Sequence, residues 1–96
     1  MNSITQNTAQ NRFEMARQND KETETEIAVA EYRLSGQIMT VTHVIVPQSQ
    51  RGQGVASDLS RAVINHARAV QLKIRPQCPF MAAYFERHPE AADLLV

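Results

Sequence analysis

Arg51-Gly52-Gln53-Gly54-Val55-Ala56 lies between two segments of different character. Before it runs a β-branched stretch, Thr40 to Val46, closed by Pro47. After it, apolar residues recur at helical spacing: Val55, Ala56, Leu59, Ala62, Val63, Ala67 and Val70. A strand, a glycine-containing turn and a helix start therefore follow one another directly. Glycine admits positive φ and lets a ligand approach the backbone closely. The first helical turn offers unpaired N–H groups and the positive end of the helix dipole. Together these make a phosphate-sized anion site, and Arg51 can add a charged fork beside it. The plain alternative is a turn that only joins strand to helix; its place at a helix N-terminus favours the anion site.

The spacing excludes two common phosphate binders. A Walker loop needs Gly-Lys-Ser/Thr after four intervening residues, and that run is absent. A dinucleotide fingerprint needs glycine or alanine three residues after its second glycine, where this chain has Ser57. One cysteine excludes an internal disulfide and offers no metal-ligand spacing, so no metal is expected.

Three histidines, one cysteine and two tyrosines complete the groups that could move protons. His43 is the only ionisable side chain inside the central β-branched segment. Alternation groups it with Met39, Val41 and Ile45, where burial would favour the neutral, proton-accepting form. A structural histidine bonded to backbone or threonine is the alternative. Cys78 follows the last expected strand between Pro76 and Pro79; the alternative is a buried, inert cysteine, but the flanking prolines favour an exposed, shaped turn. Tyr84 is available for packing, His88 can cap a helix end before Pro89, and His66 reads as surface.

These groups need elements to hold them. Residues 1–10 are polar and read as a frayed or disordered N-terminus, leaving 11–96 as one domain. Gln10 to Ala16 suits a first strand, Gln18 to Lys21 a turn, and Thr23 to Leu34 a long alternating strand. Ser35-Gly36 turns the chain into a third strand, Gln37 to Val46. Ile38, Thr40, Thr42, Val44 and Val46 share one face of it, and Met39, Val41, His43 and Ile45 the other. With apolar residues on both faces, it should be central and covered on both sides. A helix to about Val70 leads to a short parallel strand, Leu72 to Arg75. Pro76 and Pro79 end the ladder; helices over Phe80–His88 and Pro89–Leu95 follow. The fold class is α/β, with a mostly antiparallel sheet and one parallel crossover around the motif helix.

At 96 residues and 43% hydrophobic content, the chain supports one modest core. No apolar run reaches membrane-span length, and the start lacks a signal-peptide pattern, so a soluble, cytoplasmic protein is expected. The net charge is zero but unevenly placed. Residues 1–31 carry three basic and six acidic groups, residues 32–96 seven basic and four acidic. A mildly basic half suits a phosphorylated small molecule and is too dilute for a nucleic-acid footprint.

Arg51-x-x-Gly54-x-Ala56 resembles the Arg/Gln-x-x-Gly-x-Gly/Ala loop of the GNAT superfamily of N-acetyltransferases. Thr42-His43, Val46-Pro47, Pro76-x-Cys78-Pro79-Phe80 and Tyr84-x-x-x-His88-Pro89-Glu90 extend the resemblance to compact, single-domain GNAT-like proteins. It implies acetyl-coenzyme A as acetyl donor, held by Val46, Arg51, Gly52, Gln53, Gly54, Val55 and Ala56, and an amine as acceptor. It also implies a proton donor for the departing thiolate near Tyr84, although Phe85 fits that register slightly better. The strand glutamate that many members use as base is replaced here by His43, Val44, Ile45 and Val46. The candidate catalytic residues are accordingly His43, Cys78 and Tyr84. The alternative is a coenzyme A-binding or protein-interaction module without efficient catalysis. Small amine, polyamine, protein lysine and protein N-terminus remain open as acceptors, and monomer or homodimer as assembly; neither nucleic acid nor membrane is expected as a partner.

Overall fold

A computed structural model describes residues 3–18 and 25–96. Within them one sheet carries five strands in chain order. These are β1 (Ser3–Asn7), β2 (Arg12–Gln18), β3 (Thr25–Ser35), β4 (Ile38–Ile45) and β5 (Lys73–Pro76). The first four form an antiparallel meander, and β5 returns parallel to β4 after the crossover helix α1 (Val55–Val70). Helix α2 (Pro79–Arg87) and a 3-10 segment, Pro89–Leu94, complete the described chain. The α/β arrangement with one parallel crossover is as expected. The start of the chain differs: Ser3–Asn7, read as frayed, is an edge strand paired with Arg12–Ala16. Most of the turn expected at Gln18 to Lys21, and the first two residues of the Thr23 strand, lie outside the described residues.

Regular alternation builds the floor of the core. Phe13, Met15, Ala28, Ala30 and Tyr32 are buried on one face of β2 and β3, with Arg12, Glu14, Glu31 and Arg33 on the other. Helix α1 lays Val55, Leu59, Val63, Ile64 and Ala67 onto that floor, positions that share one helical stripe. Ser60 sits within this stripe, its hydroxyl donating to the Ala56 carbonyl at 2.9 Å. Helix α2 adds Met81, Tyr84 and Phe85 to the same buried cluster and packs beside α1. Both helices therefore lie on one side of the sheet. His66, expected at the surface, instead sets its ring edge against Phe13. Its Nε2 lies 3.4 Å from the Gln6 amide, which also donates to the Tyr32 hydroxyl at 2.9 Å and so ties β1 to the core.

Strand β4 breaks the alternation. Val41 pairs with Tyr32 and His43 with Glu31, so β4 carries Thr42 as one residue more than β3 opposite. Such a bulge reverses which side chains face inward. Met39 and Val41 point into the core before it; Val44 and Val46 pack against the core after it. His43 and Ile45 are thereby turned to the opposite face, where Ile45 is 51% exposed. The expected cover on both sides holds only for the first half of β4, where Thr40 is also buried.

The C-terminal residues close the far edge of the sheet. Leu95 bridges to Ile74, and the Val96 amide donates to the Ile74 carbonyl at 3.1 Å. Arg68 grips Asp93 with both terminal guanidinium nitrogens at 2.8 and 3.2 Å, while Lys73 donates to the Asp93 carbonyl.

Candidate active site

Beyond Pro47 a 3-10 turn, Gln48–Gln50, carries the chain to the glycine loop. Gly52 and Gly54 both take φ +78°, a left-handed conformation that favours glycine. Gly54 is the residue before α1, and its carbonyl accepts the Asp58 amide at 2.9 Å. The amides of Val55, Ala56 and Ser57 precede that first helical bond, at the positive end of a 16-residue helix. A solvent-open pocket of about 210 Å³ forms over them. Its lining combines Gln50, Arg51, Gly52, Gly54, Ala56 and Ser57 of the loop and helix start with the apolar Val46, Val55 and Phe80. Arg51 is exposed, with its Nε 3.4 Å from the Val46 carbonyl.

The pocket gathers six of the seven residues read as a cofactor site; Gln53 is not part of its lining. Its lining also includes Gln50, Ser57 and Phe80, which the loop motif does not single out. Ser57 follows from the helix start, as its amide completes the first turn. Phe80 could not be found locally, because only the packing of α2 beside α1 brings it over the loop.

Next to this pocket the sheet opens. β4 and β5 pair only from Ile38 to Val41, and Pro76 ends β5. The amides of Gln77 and Cys78 both turn onto the Val41 carbonyl at 3.0 Å. β4 runs on to Ile45 with β3 on one side and no β5 on the other. A narrow ligand can lie along that open side.

The candidate proton-transfer residues separate. His43 was expected among Met39, Val41 and Ile45, but the Thr42 bulge turns it outward and its side chain is 65% exposed. Its Nδ1 lies 3.4 Å from the Glu31 carboxylate. Cys78 was expected in an exposed turn and is buried, at 7% exposure, in the cluster beneath the helices. The flanking prolines shape its backbone, yet the residue becomes the N-cap of α2, which points the side chain inward. Tyr84 is also buried, its ring stacked on His88 at 3.9 Å. His88 Nδ1 meets the Tyr84 carbonyl at 2.8 Å, the helix-end role expected for it.

Elsewhere on the outward face, Arg12 and Asn7 hydrogen-bond to Glu14 and hold its carboxyl below its ordinary range. Among the described residues, Glu31 has His43 as its ion-pair partner. No described helix is long and apolar enough to cross a membrane.

Comparison with known proteins gives a consistent result. A model of the GCN5-related N-acetyl-transferase family matches residues 12–94. Among solved structures, a GCN5-like protein of Staphylococcus aureus, determined by NMR in solution and described as a candidate N-acetyltransferase, superposes with a TM-score of 0.73. The two are 27% identical, over 98% of this chain and 87% of the other. A sheet split beside a glycine loop at a helix N-terminus, with a family match across most of the chain, makes this protein a member of the GCN5-related N-acetyltransferase family.

Proposed function

We propose that this protein binds acetyl-coenzyme A at residues 46–57 and transfers the acetyl group to an amine. Members of the family use acetyl-coenzyme A as acetyl donor. The observation that carries the reading is the pocket at the start of α1. Its amides and Arg51 suit a pyrophosphate, and Val46, Val55 and Phe80 suit an aliphatic arm. The open side of β4 beyond Val41 then provides the path toward the thioester.

In this reading His43 accepts a proton from the acceptor ammonium, with Glu31 positioning its ring from the neighbouring strand. The amine nitrogen attacks the thioester carbonyl carbon, the carbon–sulfur bond breaks, and the thiolate must be protonated. Cys78 and Tyr84, both on or beside the first turns of α2, are the groups assigned to that protonation. Direct transfer needs no acetylated cysteine, in keeping with the burial of Cys78.

Titration calorimetry with acetyl-coenzyme A tests the binding step. At a hundredfold excess over its dissociation constant, ligand should stabilise the fold by about 2.7 kcal/mol. Ser57→Glu is the informative variant. A carboxylate in the first helical turn favours the helix but repels phosphate, so stability is kept while binding is lost. Absence of binding by the unaltered protein at millimolar ligand would end this reading.

A further inference from the structure

Resting on the acetyl-transfer reading, the geometry points to an acceptor amine that also carries an anionic group, a carboxylate or a phosphate. The sheet face turned away from the helices holds the observation. Glu31 and His43 are register partners there, as are Arg33 and Thr40, and Thr40 and Arg75. Directly opposed residues share a face, so Glu31, His43, Arg33 and Arg75 all project to the same side. The two arginines flank Thr40 at two strand spacings, roughly 9.6 Å, within reach of a single anion for side chains of this length. Glu31 lies two residues along β3 from Arg33, roughly 6.6 Å away.

Position relates this group to the reaction. Arg75 immediately precedes Pro76, where β5 leaves β4, and Gln77 accepts from Arg33 Nη2 at 3.4 Å. The arginines thus border the split through which the thioester would be reached, on the face opposite the helices. Among the described residues neither arginine has a carboxylate partner, whereas Arg12, Arg61 and Arg68 each have one. Both are exposed, and fork-shaped guanidinium groups pair well with carboxylate or phosphate. An acceptor ammonium at Glu31 and His43 would place its anionic group between Arg33 and Arg75. A polyamine, with cations along its length, would meet the arginines unfavourably. On reaction, the amine forms an amide bond to the acetyl carbon, coenzyme A leaves as the thiol, and one proton passes to solvent.

The test is an acceptor panel with acetyl-coenzyme A, read by product mass and thiol release. It comprises glycine and glutamate, O-phosphoethanolamine, glycine ethyl ester, spermidine and a lysine peptide. The amino acids or the phosphoamine should be acetylated, and their relative rates tell carboxylate from phosphate. The ester should lose about tenfold or more in kcat/KM relative to glycine, the size of one charge-assisted contact, although more of its amine is neutral near pH 7. Arg33→Met and Arg75→Met should each raise the acceptor KM about tenfold while leaving acetyl-coenzyme A affinity unchanged, with partial recovery in the lysine variants. Preference for spermidine, the ester or the peptide, or an unchanged KM in the arginine variants, overturns the proposal. So does acetyl-coenzyme A binding with no anionic amine bound or acetylated, which leaves the donor site standing. Failure of acetyl-coenzyme A itself to bind removes the underlying reading instead.

Discussion

The amide of Cys78 donates to the carbonyl of Val41 at 3.0 Å, at the last register step that β4 shares with β5. Pro76 has no N–H to extend the ladder, and Cys78 begins α2 instead. Together with the Gln77 amide on the same carbonyl, this hydrogen bond closes the ladder and sets the entry of the helix that brings Phe80 to the pocket at the start of α1. Its consequence for the thiol is burial.

Native Cys78 should therefore react slowly with a thiol reagent and rapidly after denaturation. Replacement by serine should cost little stability. Cys78 makes no side-chain cap, whereas serine at an N-cap contributes roughly 0.5–2 kcal/mol over a non-capping residue. That gain opposes the cost of burying a hydroxyl. Labelling rates with and without denaturant, together with melting curves of Cys78→Ser, check both points. Fast native labelling would contradict the buried placement.

His43→Ala should leave the melting temperature unchanged, because its side chain is 65% exposed and fills no core space. If it is the base, turnover should fall by roughly 10²–10⁴ with little change in acetyl-coenzyme A affinity. Glu31→Gln should show a smaller loss in kcat, as expected of a positioning residue. Equal losses in turnover and donor affinity for His43→Ala would assign it to binding instead.

Gly54→Ala tests the loop backbone by itself. A Cβ at Gly54 would meet no atom within 4 Å, so the penalty arises from φ +78° alone. That penalty is roughly 1–2 kcal/mol, which lowers the melting temperature of a domain this size by about 4–16 °C. A larger fall would show that the loop packs more tightly than its open surroundings imply.

Acidification should loosen the C-terminal clasp. Hydrogen bonding from Arg68 holds the Asp93 carboxyl below its ordinary value of 3.8. A carboxyl with a lowered folded value adds stability at pH above its unfolded value and loses it as pH falls through the folded one. The stability difference between the unaltered protein and Asp93→Asn should therefore be full near neutral pH and shrink on acidification below the ordinary carboxylate range. Denaturant titrations across that range measure it. A difference that grows with acid would reverse the assigned sign.

Much of the framework follows from local chemistry. Helical spacing of Val55, Leu59, Val63 and Ala67 marks α1, and Gly54 before it marks its start. Pro76 and Pro79 end the last strand and begin α2 for the same reason anywhere, since proline cannot donate. The pocket at the start of α1 follows from the loop motif because most of its lining comes from one continuous stretch of chain.

What tertiary structure alone decided is on which face each remaining group stands. A single extra residue, Thr42, turns His43 away from Met39 and Val41 and toward Glu31, and no composition or periodicity marks that position. Bulges arise from pairing with a second strand, so they are invisible in the strand that carries them. Burial of Cys78, the reach of Phe80 over the loop and the alignment of Arg33 with Arg75 across Thr40 likewise depend on distant segments meeting. The sequence by itself determined the elements and the loop chemistry, because those rest on neighbours in the chain. Register and helix packing decided which side chains share a site, because those are relations between elements far apart in it.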